Sequence, residues 1–168
     1  MKKLTLTIAF ALAAFVSNAQ VELKTNPFGM ALGAYNVTAE FQLENKPSLT
    51  ILGSAWYNTQ DFQDWMWTSR DGGLSAGVRQ YFNKFEDQGV FLGLATRYIP
   101  NTYMDWWDGS ETSDDYASLG FTGGYKYIYN DKITIDVFIG MGRIVWEEID
   151  DSWGPAEFIS GLNFGYRF

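Results

Sequence analysis

Polar and apolar side chains alternate along most of this chain, and no other feature constrains its fold as much. In residues 133–141 every odd position holds Ile, Val or Met, whereas the even positions hold Thr, Asp, Phe and Gly. A period of two is the pattern of a β-strand whose two faces meet different surroundings. The sequence predicts eight such strands, at residues 21–33, 36–43, 48–57, 73–82, 89–98, 116–128, 133–145 and 156–168.

The links between these strands alternate between short and long. Short polar links follow the second, fourth and sixth strands, and longer segments follow the third, fifth and seventh, at 58–72, 99–115 and 146–155. In an up-and-down antiparallel sheet, alternate links lie at the same end. An even strand number with short turns at one end and long loops at the other is typical of transmembrane barrels. We therefore predict that residues 20–168 form an all-β, eight-stranded antiparallel up-and-down transmembrane barrel, with short periplasmic turns and longer extracellular loops.

The first nineteen residues have the pattern of a secretory signal peptide. Lys2 and Lys3 precede an apolar run from Leu4 to Val16, and the run ends at Ser17-Asn18-Ala19. The run is shorter than the ~20 apolar residues of a membrane-spanning helix, and it lacks the charged face of an amphipathic helix. We expect residues 1–19 to be removed after Ala19 and the chain to be exported to the outer membrane of a Gram-negative bacterium.

The charges on the strands indicate which face is inside the barrel. They are sparse, of both signs, and share a face with many glycines, which suits a crowded interior. The expected interior charge network is Glu40, Arg79, Arg97, Lys126, Asp136 and Arg167. A register slip of one residue would move most such charges into lipid, at a cost on the order of 10 kcal/mol. Six residues run against this rule: Leu52, Trp56, Tyr81, Phe91 and Phe138 would point inward, and Arg143 outward.

The composition excludes several classes of function. The chain has no His and no Cys, which removes Ser-His and Cys-His catalysis, His- or Cys-ligated metals and disulfides. With 20 acidic against 12 basic residues, it lacks the basic surface that nucleic acid requires. An eight-stranded barrel is also filled by its own side chains, which argues against a solute pore. We expect neither an enzyme nor a cofactor.

The long loops concentrate tryptophan and acidic residues. The tryptophans considered as ligand contacts are Trp65, Trp67, Trp106, Trp107 and Trp153, and the weak divalent-cation candidates are Asp105, Asp108, Asp114 and Asp115. One interpretation is an aromatic girdle at the membrane interface with solvated acidic loops. The other is a binding surface for glycan, divalent cation or protein, since carboxylate oxygens bind Ca²⁺ and Mg²⁺. The spacing around Gly109 does not fit a calcium-binding hand.

The last strand alternates to an aromatic terminus at Phe168, and this resembles the signal that outer-membrane barrels present to their insertion machinery. The whole of residues 20–168 resembles the small eight-stranded outer-membrane barrels, such as the OmpA membrane domain and OmpX. The stretches Leu23–Pro27 and Tyr35–Phe41 also resemble an uncharacterised barrel family, a domain of unknown function. The resemblance implies a monomer embedded in outer-membrane lipids and inserted through Phe168, but no activity. The alternative is a secreted, soluble, lipocalin-like barrel that binds an apolar small ligand.

Overall fold

The computed structural model describes residues 20–59, 72–82, 88–100, 102–104, 111–113, 115–146 and 156–168. The predicted signal peptide, residues 1–19, lies outside them. The described residues form ten strands and one short helix: β1 (Val21–Thr25), α1 (Pro27–Ala31), β2 (Ala34–Leu43), β3 (Lys46–Asn58), β4 (Gly72–Tyr81), β5 (Gly89–Ile99), β6 (Thr102–Met104), β7 (Glu111–Ser113), β8 (Tyr116–Tyr129), β9 (Ile133–Trp146) and β10 (Ala156–Arg167). In this part of the chain, no helix is both long and apolar enough to span a bilayer.

Eight of the strands close into an antiparallel barrel in the order β1-β2-β3-β4-β5-β8-β9-β10, with β10 pairing back to β1. The predicted all-β, eight-stranded up-and-down barrel is confirmed. The links β2–β3, β4–β5 and β8–β9 lie at one end, here the turn end, and the other links lie at the loop end. β6 and β7 pair only with each other, within a segment predicted to be a loop. At the turn end, Asn130 and Asp131 have φ of 51° and 56°, the left-handed conformation of a tight hairpin turn.

The first strand is shorter than predicted. It ends at Thr25 rather than continuing to residue 33, because α1 begins two residues later. The Asn26 side chain caps this helix by accepting a hydrogen bond from the Gly29 amide at 3.0 Å, and Pro27 fixes the first helical φ. The other seven barrel strands begin and end within two residues of their predicted bounds.

The two faces of the wall have the predicted orientation. Outward apolar side chains are widely exposed, among them Phe121 at 71% and Phe158 at 64%, whereas Asp136 and Lys126 inside the barrel are 0% and 1% exposed. The six exceptions to the rule also point as predicted: Leu52, Tyr81 and Phe91 are buried, Trp56 and Phe138 are half-buried, and Arg143 is exposed. This is the reverse of the soluble, lipocalin-like alternative, whose apolar rows would face the barrel axis.

Two interior glycines make room for aromatic rings that point inward. A Cβ on Gly161 would lie 2.5 Å from Cζ of Phe138, and a Cβ on Gly124 would lie 2.2 Å from the Val137 carbonyl oxygen and 2.7 Å from Cζ of Phe91. Such distances are too short for any side chain. The glycines of the inward face therefore allow Phe91 and Phe138 to fill the centre of the barrel.

Candidate functional site

Seven charged side chains meet inside the turn-end half of the barrel. This ionic cluster consists of Glu22, Lys24, Glu40, Arg79, Lys126, Asp136 and Arg167, all of them buried. They come from β1, β2, β4, β8, β9 and β10, so that most of the wall contributes to the cluster. Four of the side chains are basic and three are acidic. Burial of so many charges is tolerable only where they pair with one another.

Glu40 lies at the centre of the ionic cluster. Five side chains from four strands donate to its carboxylate, and they are Lys24, Thr50, Arg79, Tyr81 and Lys126. Their donor atoms lie 2.5, 2.7, 3.2, 2.6 and 3.2 Å from the nearest carboxylate oxygen, in that order. A carboxylate surrounded in this way is held ionised and oriented by hydrogen bonds from charged groups, which are the stronger kind.

Two further carboxylates complete the ionic cluster. Asp136 accepts hydrogen bonds from Lys24 and Arg79, each at 2.8 Å. Glu22 pairs with Lys24 at 2.9 Å, Lys126 at 3.1 Å and Arg167 at 2.5 Å. Two of these contacts, Arg79–Asp136 between β4 and β9 and Lys126–Glu22 between β8 and β1, join strands that are not neighbours in the wall. The turn-end half of the interior is therefore filled by paired side chains.

Five of the six residues expected in the interior charge network belong to the ionic cluster. The other one, Arg97, lies apart from the cluster, towards the loop end. It pairs with Glu157 on β10, whose other carboxylate oxygen accepts a hydrogen bond from Ser118 at 2.6 Å. The Arg97 guanidinium carbon is also 4.4 Å from the ring centre of Trp56, a cation–π distance. Glu157 was not among the predicted interior residues, although its alternation with Phe158 places it on the same face as Ile159.

A cavity of about 680 Å³ occupies the loop-end half of the interior. Its lining includes the residues Leu52, Trp56, Arg79, Arg97, Thr122 and Phe138. The cavity therefore lies above the ionic cluster, with Arg79 at the boundary between the two. Its volume is in the range of small-molecule sites, about 300–1,000 Å³.

Most of the predicted loop-end residues fall outside the described part of the chain. These are Trp65, Trp67, Trp106, Trp107, Trp153, Asp105, Asp108 and Asp114. Asp115 is described, and its carboxylate accepts a hydrogen bond from the Tyr98 hydroxyl at 2.5 Å. Within the described ranges, no three His, Cys, Asp or Glu side chains are grouped so that they could hold a metal ion.

Comparison with known proteins shows a likeness of fold to solved barrels and a match to one family model. The N-terminal β-barrel domain of Pseudomonas aeruginosa OprF is similar at a TM-score of 0.59 and 11% identity, over 89% of this chain and 96% of that domain. Neisserial surface protein A is similar at a TM-score of 0.46 and 15% identity, over 89% of this chain and 92% of that one. No curated protein matches the sequence. The model of the family described as "Protein of unknown function (DUF3575)" matches residues 4–157, and the chain therefore belongs to this family.

Proposed function

We propose that the protein is an integral outer-membrane barrel that neither catalyses a reaction nor conducts solutes through its lumen. The observation that carries this proposal is the inversion of the two faces: apolar side chains cover the outside, and paired charges lie inside. Soluble monomers rarely expose apolar patches larger than a few hundred Å². Lipid is the surrounding that such an apolar outer face requires, and strands paired around a barrel satisfy most of their backbone hydrogen bonds without water.

The ionic cluster supports the absence of a solute pathway. The lumen at the level of Glu40 and Asp136 holds buried side chains that bind one another across it: Lys126 of β8 binds Glu40 of β2, and Arg79 of β4 binds Asp136. Water-filled channels belong to barrels with more strands, where the interior is wider than the side chains can fill. We infer that the barrel serves as a stable membrane scaffold and that its recognition functions lie at the loop end.

Fractionation and heat-modified migration test this proposal. The protein is expected in the outer-membrane pellet, and the unheated folded form is expected to migrate faster in a denaturing gel than the boiled form. Purified protein in a planar bilayer should show no stepwise solute conductance. Recovery as a detergent-free soluble monomer would overturn the membrane assignment, and reproducible large conductance steps would overturn the closed lumen.

We also propose, from the sequence, that the acidic, Trp-rich loops bind surface glycan, a divalent cation or a protein. The support is compositional: tryptophan faces stack on sugars, and carboxylates coordinate hard cations. For the divalent case, Ca²⁺ should raise the unfolding temperature of the native barrel, and joint replacement of Asp105, Asp108, Asp114 and Asp115 by Asn should abolish that shift. Asp131→Asn, at the turn end, is the matched control. A native protein indifferent to Ca²⁺ and Mg²⁺ rules out this divalent site.

A further inference from the structure

Among the residues that the structure describes, no strand closes the barrel wall between β10 and β2 in its loop-end half. Because β1 ends at Thr25, it pairs with β10 only over residues 164–167 and with β2 only over residues 38–41. Residues 156–163 of β10 lie closer to the loop end than these pairs. They pair with β9 on one side, and within the described ranges no strand pairs with them on the other side. The early end of the first strand thus leaves a gap in the wall, with α1 beside it.

Polar contacts close the lower edge of this gap. The Asn36 side-chain amide donates to the Asn163 side-chain oxygen across the gap at 3.3 Å. Asn36 also accepts two hydrogen bonds from the end of β1, one from the Asn26 amide and one from the Thr25 hydroxyl, each at 2.7 Å. These hydrogen bonds take the place of strand pairing at the level of Asn36, so the gap lies on the loop-end side of Asn36.

The lining of the interior cavity continues to residues that border this gap. This lining includes four successive residues of β10, from Phe158 to Gly161. Successive residues of a strand point to opposite faces, and here Phe158 is 64% exposed whereas Ile159 is 9% exposed. On the side of β10 that faces this gap, no strand of the described residues separates the interior part of the lining from the exposed part. The outer mouth of the cavity is bordered by Phe28, Leu32 and Tyr35, all of them exposed apolar side chains.

The inner and outer parts of the cavity differ in charge and polarity. Inside, Arg79 and Arg97 line it, and no carboxylate is among the described residues that do so. Arg79 donates its hydrogen bonds to Glu40 and Asp136 of the ionic cluster from Nη1. The ionic cluster has one more basic than acidic side chain. Outside, the mouth is apolar. The cavity is therefore suited to a molecule with an anionic end and an apolar end.

We propose that this cavity binds a single-chain acidic amphiphile that enters sideways from the outer leaflet of the membrane. The acidic head group, a carboxylate or a phosphate, would lie beside Arg79 and Arg97, and the hydrocarbon chain would leave through the gap along Phe28 and Phe158. A strand edge at membrane depth is tolerated where it lines a polar cavity, which fits a head group drawn inside. This inference rests on the proposed membrane orientation of the barrel.

Photoaffinity labelling of the whole barrel in phosphatidylcholine vesicles tests this inference. Three C16 probes carry the same diazirine on the chain: a fatty acid, a monoalkyl phosphate and an uncharged alcohol. We expect at least one of the two acidic probes to label the peptides of α1 and β10 about tenfold more than the alcohol does. The stronger of the two acidic probes identifies the head group. Equal labelling by all three probes overturns the proposal.

Two matched sets of variants locate the site. Ser160→Trp, which fills the mouth of the gap, should reduce labelling by the acidic probe about tenfold, whereas Thr96→Trp, on the closed outer wall of β5, should not. Joint Arg97→Gln and Glu157→Gln substitutions remove a cation together with its partner, and they should lower the preference for the acidic probe severalfold. Full labelling of a folded Ser160→Trp barrel overturns lateral entry.

Heat-modified migration of each sample separates this inference from the proposed function. A barrel that inserts and migrates as folded, yet does not prefer the acidic probes, overturns the ligand site and leaves the membrane assignment intact. Should Ser160→Trp fail to fold, the comparison of the acidic probes with the alcohol on the unaltered barrel still decides whether the cavity prefers an acidic head group. A chain that never enters the vesicles overturns the proposed function itself.

Discussion

Lys126 and Asp136 face each other as a cross-strand pair on β8 and β9, yet within the described residues they do not form an ion pair with each other. Lys126 reaches across the lumen to Glu22 and Glu40, whereas Asp136 binds Lys24 and Arg79. Neighbouring strands are already held by backbone hydrogen bonds. Side-chain pairs that span the lumen instead connect distant parts of the wall, and this makes the ionic cluster a structural element of the whole barrel.

Glu40→Gln should destabilise the barrel strongly. The substitution removes the charge that three buried cations share, and loss of one partner from a buried ion pair costs about 3–5 kcal/mol. Glu44→Gln, at an exposed position in the β2–β3 turn, is the control and should have almost no effect. Urea titration of the folded gel band measures both. If Glu40→Gln unfolds at the same urea concentration as the unaltered protein, the cluster does not hold the wall together.

Gly124→Ala should also lower stability, here through overpacking. The new Cβ would lie 2.2 Å from the Val137 carbonyl oxygen and 2.7 Å from the Phe91 ring, and overpacking typically costs about 1–3 kcal/mol. Gly53→Ala, where the nearest atom to a Cβ is 3.9 Å away, should be neutral. The temperature at which the folded band disappears distinguishes the two, and equal temperatures would contradict the packing described for the barrel centre.

An arginine on the outer face should impair stability according to its depth in the membrane. Ile139 lies midway along β9 and is 60% exposed, whereas Ile133 begins the strand at the turn end. Ile139→Arg is expected to cost about 2–4 kcal/mol, and Ile133→Arg about 0–1 kcal/mol, since an arginine near the interface reaches water. Refolding into vesicles at graded urea gives both values. Equal costs at the two positions would mean that the outer face does not lie in lipid.

Deletion of Phe168 should slow assembly of the barrel in cells more than it lowers the stability of the folded barrel. The Phe168 side chain is 71% exposed and packs edge-on against Tyr166 at 5.0 Å between ring centres, so its removal costs little beyond one backbone hydrogen bond, donated to the Val21 carbonyl oxygen at 2.9 Å. If it serves as the insertion signal, its removal should reduce the amount of folded protein in the outer membrane severalfold. Phe82→Ala, at another exposed aromatic of the turn end, is the control. Normal assembly without Phe168 would exclude this role.

Much of the fold could be predicted from the sequence because alternation is a property of the strand itself. The polar face of β9, with Thr134 and Asp136, predicts which side is buried without any knowledge of its neighbours. The early end of β1 was missed because the apolar residues after Asn26 also fit a strand, and the capping by Asn26 competes with that pattern. The sequence also could not predict which of the interior charged side chains pair with one another. The pairing of Arg97 with Glu157 depends on the register and stagger of strands 60 residues apart.

The orientation of the two faces decides whether the barrel lies in lipid, and a site-resolved measurement of lipid contact reports that orientation. The chain contains no cysteine, so single cysteines at Phe121, Thr122, Phe138 and Ile139 can each carry a bimane fluorophore. In vesicles containing lipids spin-labelled on the acyl chain, fluorescence at the outward positions 121 and 139 should be strongly quenched. The inward positions 122 and 138 should remain bright. Quenching at 122 and 138 but not at 121 and 139, or equal quenching at all four, would mean that the apolar outer face does not lie in lipid.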